Sequence, residues 1–266
     1  MKKVLVGSFL LMLVSISLAA AAYTPLRQID CRIAPHQRSK VTGSLAETQS
    51  SNWSGYAALT DIAKPKAHSV SNVSGTWVVP TLKSEKNNGF SSIWVGIDGY
   101  GSPTVEQIGT EHDWADGKQN DYAWFEMFPK SSYQIVGFPV NPGDSIGAEV
   151  KYEGNDTFKM TLTNYTQKVY TVVPSSYTKA KDTKRLSAEW VVEAPSDGTK
   201  VLPLADFDKV GFTDCLATIG GKTGAINDAN WKEDDFQMAA SKSTFKATPS
   251  ELTNGGKGFT VTWNHE

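Results

Sequence analysis

From Asn52 to the C-terminus, apolar and polar positions alternate with a period of two, broken at short intervals by Gly, Pro, Asn and Asp. That period belongs to half-buried β-strands, whose side chains point in turn to the two faces of a sheet. It predicts strands over 53–59, 71–79, 92–98, 105–110, 123–128, 145–152, 158–164, 167–173, 188–193, 209–216, 243–247 and 259–263. Turn-forming clusters such as Asn141-Pro142-Gly143-Asp144, Glu153-Gly154-Asn155-Asp156 and Asn254-Gly255-Gly256 separate them. Residues 231–240 fit no single period. There is no long amphipathic helix and no tandem repeat. Many short strands at this spacing predict an all-β fold, an antiparallel β-sandwich.

Alternation also sorts the faces. One side of the 92–98 strand carries Trp94, Gly96 and Asp98; the other carries Ile93, Val95 and Ile97. Trp124, Glu126 and Phe128 oppose Ala123, Phe125 and Met127 in the same way. Glu189, Val191 and Glu193 oppose Ala188, Trp190 and Val192. Each strand thus has one wholly apolar face and one with carboxylates, joined by tryptophan on two of the three. Solvated faces usually carry Thr, Lys, Ser and Glu. Tryptophan beside Asp or Glu suggests a binding groove, and a polar outer face with incidental aromatics is the alternative.

Length and charge change this picture little. A sandwich of 266 residues fits one domain, and a formal charge of −2 gives no nucleic-acid footprint. The N-terminus adds more. Met1-Lys2-Lys3, an apolar run over 4–18 and an A-x-A pattern at Ala20 and Ala22 predict a signal peptide over 1–22. The protein is then secreted, extracellular or periplasmic, and free of the membrane once cleaved. Residues 23–47 are basic, with Arg27, Arg32, His36, Arg38 and Lys40 against Asp30 and Glu47, and show no clear strand alternation. Positions 1–47 hold six of the 26 Lys and Arg and two of the 28 Asp and Glu, so residues 48–266 carry −6. The basic segment reads either as a linker or as a pro-segment whose cations cover an acidic cleft at neutral pH. Cys31 and Cys215 could pair, but Cys31 lies in this segment, so no essential disulfide is expected.

Several chemistries drop out. His36, His68, His112 and His265 make no H-x-H or H-E-x-x-H spacing. Glu111-His112-Asp113 could converge on a metal only in a turn, because successive strand residues face opposite ways. No metal or cofactor is expected. G-x-S-x-G, G-x-G-x-x-G and P-loop patterns are missing, and neither cysteine has a nucleophile context. Carboxylate and amide chemistry remains.

Asn52-Trp53-Ser54-Gly55, Trp94-Val95-Gly96-Ile97-Asp98-Gly99, Glu106-Gln107-Ile108-Gly109-Thr110, Tyr122-Ala123-Trp124-Phe125-Glu126-Met127-Phe128-Pro129 and Ala188-Glu189-Trp190-Val191-Val192-Glu193 occur in that order. Together they resemble the glutamic peptidases, or eqolisins, from about residue 50 to the end. The resemblance implies two curved antiparallel sheets, concanavalin A-like in shape. It implies a catalytic dyad of Gln107 and Glu189, and a substrate groove of Trp53, Trp94, Asp98, Trp124 and Glu126. It implies acid endopeptidase activity on polypeptides without a metal, and a monomer is expected. The sequence departs from fungal members in a longer 108–114 stretch and in lacking their disulfide pattern. A carbohydrate-active sandwich, glycoside hydrolase or lectin, is the competing reading; there Glu126 and Glu189 would be the acid and base.

Overall fold

The computed structural model describes residues 19–20, 26–28, 48–83 and 87–266. Most of the expected signal peptide and basic segment, including Cys31, lies outside these residues. Every described element is a strand. In chain order they are β1 (Ala19–Ala20), β2 (Leu26–Gln28), β3 (Thr48–Ser50), β4 (Trp53–Leu59), β5 (Val70–Val78), β6 (Gly89–Ile97), β7 (Val105–Ala115), β8 (Lys118–Phe128) and β9 (Tyr133–Ile135). They continue as β10 (Ser145–Gly154), β11 (Thr157–Asn164), β12 (Val169–Val172), β13 (Ser187–Glu193), β14 (Lys209–Ile219), β15 (Lys222–Gly224), β16 (Lys232–Ser241), β17 (Thr244–Pro249) and β18 (Phe259–Trp263).

Pairing runs without a break from β2 through β9, β8, β7, β6, β13, β4 and β16 to β17. It continues from β17 through β18, β14, β5, β10, β11 and β12 to β1. The ribbon doubles back at β17, so two layers face each other in an antiparallel β-sandwich. Among the described strands, the short β1 and β3 pair in parallel, with β12 and β16.

The inner faces meet in one large apolar cluster. Ile93, Val95, Ile97, Ile108, Phe125, Met127, Trp190 and Val192 come from the first sheet, and Val73, Trp77, Val150, Met160, Leu162 and Phe212 from the second. Phe212 stacks on Phe259 with centroids 4.8 Å apart. Buried indole N–H groups need partners. Trp190 donates to Ser74 O at 2.8 Å and Trp77 to Thr110 Oγ1 at 3.0 Å. Thr110 continues to His112 Nε2 at 2.8 Å, and His112 Nδ1 meets Asp121 at 2.7 Å.

Each of the twelve predicted spans falls on a strand. β7 and β8 run longer than expected, and residues 231–240 are mostly strand β16. Asp116-Gly117, both at positive φ, close the β7–β8 hairpin in two residues, the Asp-Gly signature of a tight hairpin turn. Polar residues on both faces hid the extension. Strand also forms at Leu26–Gln28 and Thr48–Ser50, ahead of the first visible alternation.

Candidate active site

Register assembles the site. Glu189 on β13 pairs with Gly96 on β6, Gly96 with Gln107 on β7, and Gln107 with Glu126 on β8. One row across four strands therefore reads Glu189, Gly96, Gln107, Glu126, on the face turned away from the core. Adjacent strands lie about 4.8 Å apart, so the backbones of Glu189 and Gln107 are roughly 10 Å apart. Long side chains from each reach over Gly96. A Cβ at Gly96 would come within 2.9 Å of Trp94 Cζ3 and 3.2 Å of Gln107 Cβ. The missing side chain keeps the space between the two polar groups open.

Gln107 Nε2 donates to Glu126 Oε2 at 2.7 Å. That bond fixes the amide's orientation and turns Gln107 Oε1 the other way. Gln107 Oε1 and Glu189 Oε2 are both buried and have no hydrogen-bond partner among the described residues. Glu189 Oε1 accepts the Tyr100 main-chain N–H at 3.3 Å. Burial pushes the Glu189 carboxyl well above the ordinary glutamate range, nearby Asp98 adds to this, and Ser187 and Tyr100 oppose it. Tyr100 is itself anchored. Its hydroxyl hydrogen-bonds Asp234, Thr48 Oγ1 donates to the same carboxylate at 2.7 Å, and its ring stacks on Phe236.

Asp98, at φ 69°, ends β6. Its carboxylate accepts the main-chain N–H groups of Arg185 at 2.6 Å and Leu186 at 2.8 Å. It thereby fastens the entry of β13, the strand that carries Glu189.

The next row reads Val191, Trp94, Gly109, Trp124. Trp94 lies over Gly109, where a Cβ would come within 2.6 Å of Trp94 Cβ. Trp53 packs edge-on against Trp94 with centroids 4.9 Å apart. Trp53, Trp94, Trp124, Val191 and Phe236 form a second apolar cluster, separate from the core. Beyond it runs Glu193, Ser92, Glu111, Tyr122. Glu193 accepts Asn52 Nδ2 at 2.8 Å and Trp94 Nε1 at 2.9 Å. Gln107, Glu126, Glu189 and Glu193 are all fully buried.

All seven residues singled out from the sequence thus lie on or beside this face. Sequence reasoning missed Tyr100, Asp234 and Asn52 as supports. Glu193 was visible, since it alternates with Glu189. Tyr100 and Asp234 carried no signal, because a loop and a distant strand meet only in the fold. Glu111 and Asp113 face the groove while His112 points to the core, so the three do not converge on one point.

The peptidase A4 family profile matches residues 51–263. The chain belongs to the peptidase A4 family, the glutamic peptidases or eqolisins. It is 29% identical to aspergillopepsin-2 of Aspergillus niger over 84% of this chain and 81% of that protein. It is 28% identical to scytalidopepsin B of Scytalidium lignicola over 77% of this chain and 73% of that one. In structure it is similar to scytalido-glutamic peptidase bound to a transition-state analogue inhibitor, with a TM-score of 0.64, 26% identity, and coverage of 80% of this chain and 98% of the other. As a peptidase A4 member it is a glutamic endopeptidase that hydrolyses peptide bonds. The carbohydrate-active alternative is not favoured.

Proposed function

We propose that the chain is a secreted acid endopeptidase whose catalytic dyad is Gln107 and Glu189. One observation carries the reading: Gln107 Oε1 and Glu189 Oε2, buried and unpartnered, flank the gap above Gly96. A water there would donate to both. As carboxylate, Glu189 takes a proton from the water while its oxygen attacks the peptide carbonyl. The Gln107 N–H not engaged by Glu126 donates to the developing oxyanion. Glu189 then returns the proton to the amide nitrogen as the C–N bond breaks. Because burial raises the Glu189 carboxyl, its ionised form is a stronger base toward the water, and the acid it becomes holds the proton until the leaving nitrogen takes it. Glu126 orients the Gln107 amide, Asp98 braces the strand of Glu189, and Trp53, Trp94 and Trp124 wall the groove for polypeptide side chains.

The apolar leader with its A-x-A pattern supports secretion. The basic segment fits an intramolecular inhibitor. Its residues Leu26–Gln28 pair antiparallel with β9, and Arg27 hydrogen-bonds Gln134, which sits opposite Trp124.

The test is casein digestion in acid by the purified chain, with and without pepstatin, beside a polysaccharide panel. Pepstatin-insensitive proteolysis is expected. Gln107→Ala and Glu189→Gln are each expected to lower kcat/KM by at least about 10³-fold while the protein stays folded. Folded Glu189→Gln with near-normal activity would overturn the dyad, and sugar release without proteolysis would overturn the function.

A further inference from the structure

Two more carboxyls stand on the groove side of β7. Gln107, Gly109, Glu111 and Asp113 share that side, so Glu111 lies about 14 Å and Asp113 about 20 Å along the strand from Gln107. Glu111 is 1% exposed and Asp113 7%. Their side chains lie within hydrogen-bonding reach of each other, and burial together with mutual repulsion holds Glu111 well above its usual range. Glu111 Oε1 and Asp113 Oδ1 have no partner among the described residues. Neither residue forms an ion pair among them.

Polar groups also surround the pair. Ser92, opposite Glu111 on β6, is 1% exposed, and its hydroxyl faces the Glu111 carboxyl. On the other flank, opposite Glu111 on β8, the Tyr122 hydroxyl is buried and has no hydrogen-bond partner among the described residues. Glu193, the remaining carboxyl of this row, is already engaged by Asn52 and Trp94. Two adjacent buried carboxyls are costly to ionise without a counter-charge, and an entering cation lowers that cost. The chain shows how one could arrive. β2 extends the sheet beyond β9; burial, then Glu111 and Asp113, raise the Tyr122 pKa, and the Arg27 guanidinium opposes that rise.

We propose that Glu111 and Asp113, framed by Ser92 and Tyr122, form a substrate subsite for a lysine or arginine side chain about four residues from the scissile bond. This subsite rests on the peptidase reading above. An extended peptide advances about 3.4 Å per residue, so four residues span the distance from Gln107 to Glu111.

The experiment uses the full chain and internally quenched peptides identical except for Lys or Gln at the fourth or fifth residue from the cut, on each side in turn. For one side, wild-type kcat/KM is expected to favour Lys by about tenfold, the scale of a charge-assisted hydrogen bond. The preference is expected to grow as pH rises through about 7, where Asp113 ionises. In E111Q/D113N the Lys:Gln ratio is expected to fall to near one. Because both peptides are cut by the same enzyme, the ratio cancels any loss of folded protein. A wild-type ratio near one at every position and pH would overturn the subsite. So would a ratio that the double variant leaves unchanged. If neither peptide is cut, the peptidase reading itself fails and the subsite with it.

Discussion

The two sheets of this sandwich present opposite outer faces. That of the second sheet carries Ser74 and Thr76 from β5, Lys151 from β10, and Lys159, Thr161 and Thr163 from β11, all half-buried or exposed. Its carboxylate Glu149 simply accepts from neighbouring Asn72 at 2.6 Å. The outer face of the first sheet carries Trp94, Gln107, Trp124, Glu126, Glu189 and Glu193, none more than 2% exposed. Strand period and covalent geometry are the same on both. The second sheet shows what a solvated face looks like in this protein, and the first departs from it in residue type and in burial together. Polar groups kept from water without full hydrogen bonding cost free energy, and the concentration of that cost on one face is what the proposed dyad accounts for.

Substitutions should therefore behave differently on the two faces. The largest effect after the dyad itself is expected at a residue with no side chain. Gly96→Val would fill the gap between Gln107 and Glu189, and a fall of about 10²-fold in kcat/KM is expected from displaced reacting groups. A far-ultraviolet spectrum like the parent's would show that the sheet survives. Glu126→Ala releases the Gln107 amide. A drop of about tenfold in kcat with a smaller change in KM is expected, and an unchanged kcat would remove Glu126 from the site.

Stability should follow the buried carboxyls. Glu106, Glu111 and Glu189 are held well above the usual range by burial, and Asp113 is pushed up to about 7. Glu106 is fully buried. A raised carboxyl favours the folded state while protonated, so its contribution is complete below the unfolded pKa of about 4 and is lost as pH rises through the folded value. Tm measured by calorimetry is expected to fall by at least about 5 °C from pH 4 to pH 7, and Glu106→Gln should shrink the fall. A Tm that rises over this window would contradict the assignment. The smallest effect is expected on the second sheet. Thr163→Lys should change stability by no more than about 0.5 kcal/mol and leave kcat/KM unaltered.

Much of this was legible in the chain, for reasons that can be stated. Ile93, Val95 and Ile97 alternate with Trp94, Gly96 and Asp98, so β6 and its two faces followed from period alone. Glu189 was found in the same way. Gln107 was not, because a lone glutamine on a strand has no distinctive pattern, and resemblance supplied it. Glu111 and Asp113 were set aside as metal ligands because successive strand residues face opposite ways, and their shared side was missed because nothing local shows that β7 continues past residue 110. The hydrogen bond from Gln107 to Glu126 depends on register between β7 and β8, which the Asp116-Gly117 turn sets. Tyr100 and Asp234 lie 134 residues apart and touch through a bond no local rule anticipates.

That last bond bears on how the protein should be handled. Thr48 and Tyr100 share the Asp234 carboxylate, and the main-chain N–H of Tyr100 holds Glu189. Thr48 is therefore three hydrogen bonds from the carboxyl that would move the proton. A fusion partner, purification tag or stray processing remnant joined at Thr48 would press on that chain of contacts. Differences in specific activity between preparations should then be traced first to their N-terminal residue.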